Sequence, residues 1–432
     1  MSLPELRLTT LENGLVVATE SMPHIATVAL GVWVGAGARH ERDDEHGLSH
    51  LIEHMAFKGT AHRSARTIAE DIENVGGDIN AATGVEYTCY TARTLGEDIG
   101  VALDVLGDIL TCSTFSAEEL ERERGVILQE IAAVEDTPDD LVNDVFIETA
   151  YPGQALGRPI LGRPETVGAF TPDKIRAFCA REYAPDRMVV TAAGSVDHER
   201  VVEAARRHFG HLPRTTPDAI LPGLYRGGEA RMKRKNEQAN IVLGLPGLSF
   251  KDPEYYAAQL FAQVLGGSLS SRLWQEVREK RGLAYSVDAF HWPFSDTGIF
   301  GIGAGVAGSD LAEFIDVTID TLQQTAEDAS EAELERAKAQ MKVGLLAALE
   351  TPGGRIERIA RQLLAWGRVV PVHELVSRVE AVSVADMRSA GRAILDGPPT
   401  MAAIGPIKAL PSLDRLTARL SPAPPARVAV SG

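Results

Sequence analysis

Thr27 to Val34 reads TVALGVWV, a nearly continuous apolar run of strand length, and Gly14 to Glu20 is a second such run. Both predict β-strands. From Gly47 to Phe57 the pattern predicts a helix, and Ala65 to Val75 predicts another. After the Gly76-Gly77 turn, "DINAATGVEYTCYTART" alternates apolar and polar positions and predicts a strand. Helices are predicted near 97–111 and 117–134. This order is not a regular strand–helix alternation, so the predicted class is α+β.

The pattern also repeats. "SAEELERERGVILQEIAAVEDTP" from Ser116 matches "SEAELERAKAQMKVGLLAALETP" from Ser330. Each has Ser followed three residues later by Glu (Glu119, Glu333), a capping box, and each ends at Thr-Pro. "RMVVTAAGSV" from Arg187 and "TMAAIGPI" from Thr400 are apolar strands running to glycine, and "TVALGVWVGAG" is comparable with "NIVLGLPGLSF". The separation, about half the chain, predicts a duplicated unit of about 210 residues. We therefore expect domains at 1–212 and 229–420, a Pro-rich linker at 213–228, and a disordered tail at 421–432.

Composition narrows the function. The 432 residues carry a formal net charge of −17, which argues against a nucleic-acid groove. Three cysteines (Cys89, Cys112, Cys179) imply no disulfide framework and suit a reducing compartment. The N-terminal residues lack a secretory apolar core, and the longest uncharged apolar stretch, 25–38, is too short and Gly-rich to span a bilayer. The expectation is a cytoplasmic protein with no membrane span.

The chemistry lies in "GLSHLIEHMAFKGT", where His50, Glu53 and His54 have the order H-x-x-E-H. On a helix, residues four apart share a face, so two imidazoles can meet one ion. Three protein ligands plus a water position make a catalytic zinc site, and the inverted motif is a zinc-peptidase signature. Such a pair also occurs by chance on surface helices, so a third ligand must be found. His40, His46 and His62 lie off the pattern and read as surface or loop residues.

"HLIEHMAFKGT" followed by "ERERGVILQEIAAVED" resembles the inverted-zincin, pitrilysin-type (M16B-like) metallopeptidases. More narrowly, it is similar to the catalytic subunit of mitochondrial processing peptidase and its bacterial homologues, over nearly the whole chain. The resemblance implies two LuxS/metallohydrolase-like halves forming half of a clamshell around a chamber for short or unfolded peptides. It implies that Glu130, 76 residues beyond His54, is the third ligand to one Zn2+ per chain. Glu123, seven residues earlier and so on the same helix face, supports the site. Glu53 becomes the base that deprotonates the metal-bound water.

By the same likeness, Asn80 and Ala81 lie on an edge strand to which substrate pairs, and Phe57 lines the pocket after the cut. Asp140 and Asp144 would select a basic substrate residue, and Arg278 and Tyr285 would bind substrate and polarise its carbonyl. In two-subunit relatives that last pair faces the partner's zinc, so the resemblance implies a homodimer completing each site in trans, or a heterodimer with a related subunit. From spacing alone the acidic residues are ordinary solvated positions, and Phe57 and Tyr285 ordinary core aromatics. The main function expected is a zinc-dependent endopeptidase. The alternatives are a non-catalytic structural or assembly subunit, a chain active only with a second partner chain, and a metal-binding or partner-binding module without turnover; the intact set His50, Glu53, His54 and Glu130 argues against the first, and Glu53, which is not needed to hold metal, against the last.

Overall fold

A computed structural model describes residues 5–216 and 218–420. The first elements are β1 (Glu5–Thr10), β2 (Val16–Ser21), β3 (Thr27–Val34), α1 (Leu48–Ala56), α2 (Ala65–Glu73), β4 (Asp78–Thr83) and β5 (Thr88–Leu95). Next come α3 (Ile99–Thr111), α4 (Ala117–Asp136), α5 (Pro138–Ala150), α6 (Pro164–Gly168), α7 (Pro172–Glu182), β6 (Met188–Gly194) and α8 (His198–Phe209). The second half runs β7 (Gly228–Lys233), β8 (Gln238–Gly247), α9 (Tyr255–Gly266), β9 (Ala284–Pro293), β10 (Gly298–Ala307), α10 (Leu311–Asp328) and α11 (Glu331–Ala348). It ends with α12 (Pro352–Trp366), α13 (Val372–Ala381), α14 (Val384–Leu395), β11 (Thr400–Gly405) and α15 (Leu413–Leu420).

The mixed α+β class holds, and β2, β3 and α1–α4 fall where the periodicity places them. Two details differ. The alternating stretch from Asp78 is a hairpin rather than one strand: β4 pairs antiparallel with β5, and the Gly84 N–H donates to the Tyr87 carbonyl at the turn. A strand at Glu5–Thr10, unmarked by any long apolar run, pairs with β2. Between α8 and β7 the described residues form no helix or strand. The expected tail, 421–432, lies outside the described residues. Among those described, no helix is long and apolar enough to cross a membrane.

The duplication is visible in strand order. One sheet runs β1-β2-β6-β3-β5-β4 and the other β7-β11-β8-β10-β9. In the first, β2 is parallel to β6 and the pairs from β6 to β4 are antiparallel; in the second, β7 is parallel to β11 and the pairs from β11 to β9 are antiparallel. The matched segments thus occupy equivalent places: β3 with β8, β6 with β11, α4 with α11. The Ser330–Glu333 capping box is closed in both directions, at 2.7 and 3.3 Å.

Each sheet belongs to a compact unit that is not contiguous in sequence. One is built from the chain up to Ala133, from Arg158–Leu221 and from Gly344–Pro371; the other from Val134–Gly157, Pro222–Val343 and the chain from Val372. Helix α12 therefore packs on β6 and β3, while α5 packs on β11 and β8. A sheet needs both faces covered, and here each half lends one helix to the other's sheet. Both lent helices begin at the Thr-Pro dipeptides of the repeat, with Pro at the first helical position, where its missing N–H costs nothing. Helix α12 is fixed by a buried ion pair: Arg355 and Arg358 both reach the carboxylate of Glu20 on β2.

Candidate metal centre

Helix α1 buries Leu48, Leu51, Ile52 and Met55, a three-and-four spacing that turns His50, Glu53 and His54 away from the core. Helix α4 buries Leu120, Ile127 and Ile131 in the same core cluster. Packing these two stripes into one core brings the polar faces of α1 and α4 together. The α1 start is fixed by Gly47, in the left-handed region at φ +92°; a Cβ there would lie 2.6 Å from the Gly162 Cα. Glu41 caps the helix, its two carboxylate oxygens accepting the N–H groups of Gly47 (2.8 Å) and Ser49 (2.7 Å). Burial pushes the Glu41 carboxyl up to about 8.

His50, His54 and Glu130 present one ligand atom each within 4.8 Å of one another. The Nε2 atoms of both histidines lie 3.8 Å from the Glu130 Oε2. Two ligands on a tetrahedral zinc with bonds near 2.1 Å stand about 3.4 Å apart, so a small contraction completes the geometry. Glu130 Oε2 is buried without a hydrogen-bond partner, which is costly for a carboxylate oxygen unless a cation takes it. Burial, aided by the nearby His54, drives the His50 pKa down to about 4, keeping it as the neutral imidazole that binds metal. The residues fit a zinc ion. The His54 Nδ1 lies 3.1 Å from the Glu123 Oε2, so its N–H can donate there and leave Nε2 free for an ion. Lys58 Nζ holds the other Glu123 oxygen at 2.9 Å.

Glu53 is half-buried on the same helix. Strand β4 is the sheet's edge and runs beside α1, with the Thr83 hydroxyl donating to the Ser49 carbonyl at 3.3 Å. On β4, Asn80 is exposed and Ala81 buried, and the Asn80 side chain accepts the Ala81 N–H at 2.9 Å. Phe57 directly follows α1, half-buried against the core. In the second unit, Asp140 and Asp144 lie one turn apart on α5; burial, with Asp140 and Glu148 nearby, raises Asp144 to about 6. The Arg278 guanidinium stacks 4.2 Å from the Trp274 ring centre and 4.9 Å from that of Tyr285, whose side chain is 78% exposed. Arg278 sits in a π-helical turn at Trp274–Glu279, a feature frequent at functional sites that no residue pattern announced.

Sequence reasoning missed Glu41 and Lys58. Glu41 is one of several acidic residues between Glu41 and Glu45, and nothing in that run marks it as the helix cap. Of the histidines read as surface or loop residues, His62 is exposed, but His46 is buried and bonded to the Pro159 carbonyl at 2.7 Å, and burial drives His40 down to about 3.

Residues 16–164 match the family model described as Insulinase (Peptidase family M16), and residues 169–341 match the Peptidase M16 inactive domain. An uncharacterized zinc protease of Streptomyces coelicolor is 40% identical over 93% of this chain and 90% of its own length. The uncharacterized zinc protease YmxG of Bacillus subtilis is 36% identical, covering 93% and 99%. Among solved structures, a protease from Helicobacter pylori aligns with a TM-score of 0.85 at 22% identity, over 94% of this chain and all of that one. A peptidase M16 inactive domain protein from Pseudomonas fluorescens aligns at 0.87 with 20% identity, covering 94% and 99%. These two likenesses speak for the fold; the sequence matches speak for kinship, and by them the chain belongs to peptidase family M16.

Proposed function

We propose that the chain is a zinc-dependent endopeptidase acting on short or unfolded peptides. The observation that carries this reading is the buried, unpartnered Glu130 Oε2 equidistant from the His50 and His54 Nε2 atoms. His50, His54 and Glu130 would hold the ion. When bound, zinc supplies a Lewis acid and lowers the pKa of a coordinated water to near 7. Glu53, one residue before His54, takes a proton at a carboxylate oxygen and returns it to the leaving amine nitrogen. A peptide adding to the free edge of β4 is held by main-chain bonds that accept many sequences. Asp140 and Asp144 offer a basic substrate residue two carboxylates, giving a preference for arginine near the cut. Arg278, pre-stacked on Tyr285, and the Tyr285 hydroxyl serve as substrate-binding and carbonyl-polarising groups. We place that pair opposite the zinc of a second copy, in a homodimer.

The test follows cleavage of a fluorogenic, Arg-containing peptide. Glu53→Gln keeps its zinc and loses activity by a factor of about 10²–10⁴. Mixing it with the Arg278→Ala/Tyr285→Phe double variant restores cleavage after subunit exchange. A zinc-loaded wild type that cleaves nothing overturns the peptidase reading; a dead mixture with proven exchange overturns only the shared site.

A further inference from the structure

A second cluster of ligand-type side chains lies in the first unit, apart from the catalytic set. His62, Asp108 and Cys112 each present a ligand atom within 4.8 Å of the others. The backbone holds them in place: the Ala61 N–H donates to the Cys112 carbonyl at 2.9 Å, and Thr60 bridges Ser113, so the loop carrying His62 is clamped to the end of α3. Asp108 is buried, and its two oxygens have separate duties. Oδ2 accepts from the Thr60 hydroxyl (2.6 Å) and the Arg63 guanidinium (2.9 Å), while Oδ1 faces the His62 Nδ1 at 2.7 Å. Oδ2 is thus fixed by donors and Oδ1 points to the imidazole, the arrangement of a monodentate ligand with its supporting shell. The Cys112 Sγ has the Thr111 hydroxyl at 3.5 Å as its neighbour.

The charge favours a cation. Arg63 is surrounded by Asp71, Asp104 and Asp108, at 2.9, 2.5 and 2.9 Å, so one positive group faces three carboxylates. His208 stands 3.2 Å from Asp104, and burial lowers its pKa, so it adds no compensating charge. Burial works against ionising Asp108, yet hydrogen bonds from Thr60, His62 and Arg63 hold its carboxyl below the usual range. The exposed His62 gives the cluster an open side through which an ion can enter.

We propose that His62 Nδ1, Asp108 Oδ1 and Cys112 Sγ form a second metal site, for a borderline-soft divalent ion such as Zn2+, Co2+ or Cd2+. An imidazole and a thiolate select such ions over Mg2+ or Ca2+. On binding, the Cys112 thiol releases its proton to solvent, and the His62 proton resides on Nε2. The sulfur ligand makes the site separable from the His50–His54–Glu130 set, which contains none.

The experiment titrates the metal-free full chain with Co2+ and reads the thiolate-to-cobalt charge-transfer absorption together with the number of ions bound. Two equivalents are expected, one of them with the charge-transfer band. Cys112→Ser abolishes the band and leaves one equivalent; His50→Ala keeps the band. His62→Ala, at an exposed position, weakens the banded site by roughly tenfold or more. Among the described residues, neither Cys89 nor Cys179 belongs to a cluster of ligand-type side chains, so the band reports Cys112. A wild type that shows no charge-transfer band, a band that survives Cys112→Ser, or a banded site indifferent to His62→Ala overturns the proposal; a single equivalent that carries the band overturns the His50–His54–Glu130 site instead.

Discussion

Glu123 offers the sharpest quantitative test of the metal centre, because it touches His54 without being a ligand. Replacing it with alanine removes the acceptor 3.1 Å from the His54 Nδ1 and leaves Lys58 Nζ without the carboxylate it meets at 2.9 Å. The His54 ring then loses the bond that fixes its tautomer and orientation. Losing such an outer partner lowers metal affinity about 10- to 100-fold, or about 1.4–2.7 kcal/mol. Glutamine keeps an acceptor for His54 but presents an amide N–H₂ to Lys58, so Glu123→Gln falls at the low end of that range. Lys58→Ala acts in the opposite sense: it frees Glu123 to bond His54 more strongly, and zinc affinity stays equal or rises. Competition with a chromophoric chelator measures all three, with thermal melting to check the fold. A correctly folded Glu123→Ala that binds zinc within about threefold of wild type would refute the reasoning, as would a Lys58→Ala that binds it less tightly.

Two further outcomes concern charge and stability. Asp144, raised to about 6, favours the folded state when protonated. That contribution is fully present below about pH 4, the range of an unfolded aspartate, and is lost as pH rises through about 6. After discounting for partial exposure it amounts to about 1–2 kcal/mol; urea unfolding at a series of pH values detects it, and Asp144→Asn removes it. Glu20→Ala strips the counter-charge from Arg355 and Arg358 beneath α12. Breaking a buried pair this way costs about 3–5 kcal/mol, and chemical denaturation that shows under 1 kcal/mol would mean the pair does not anchor the helix.

The local chemistry was legible in sequence wherever periodicity carried it. His50 and His54 are four residues apart, so one helix suffices to pair them, and the six predicted elements from β2 to α4 follow from apolar spacing. Glu130 was not legible that way. Its meeting with α1 depends on Leu120, Ile127 and Ile131 sharing a core with Leu51 and Met55, a tertiary contact that only the resemblance supplied. The repeat was readable because matched segments kept their apolar runs. The exchange of α5 and α12 was not, since a helix start at Thr-Pro states nothing about which sheet the helix covers. The hairpin at Asp78 reads as a single strand because alternation continues through its turn, where Gly84 supplies only a weak break.

Among the buried carboxylate oxygens of the described residues, only the Glu130 Oε2 lacks a hydrogen-bond partner, and this contrast separates framework from site in the first unit. Glu45 is gripped by Arg181 through two hydrogen bonds, at 2.9 and 2.6 Å, Glu182 by Arg181 and Arg187, and Glu20 by two arginines. Each of these buried carboxylates has its charge answered within the protein, as stable folds require. Glu130 Oε2 and His50 Nδ1 are not answered, although both are buried. Glu130 could have been paired by a lysine or arginine at modest cost; instead two imidazoles face it, and one is held neutral by its surroundings. Such a group is a local conflict that a fold retains where an external cation resolves it. By the same test, Asp108 is a mixed case. One of its oxygens is fully committed to Thr60 and Arg63, and the other has only the Nδ1 of the exposed His62 beside it, at 2.7 Å.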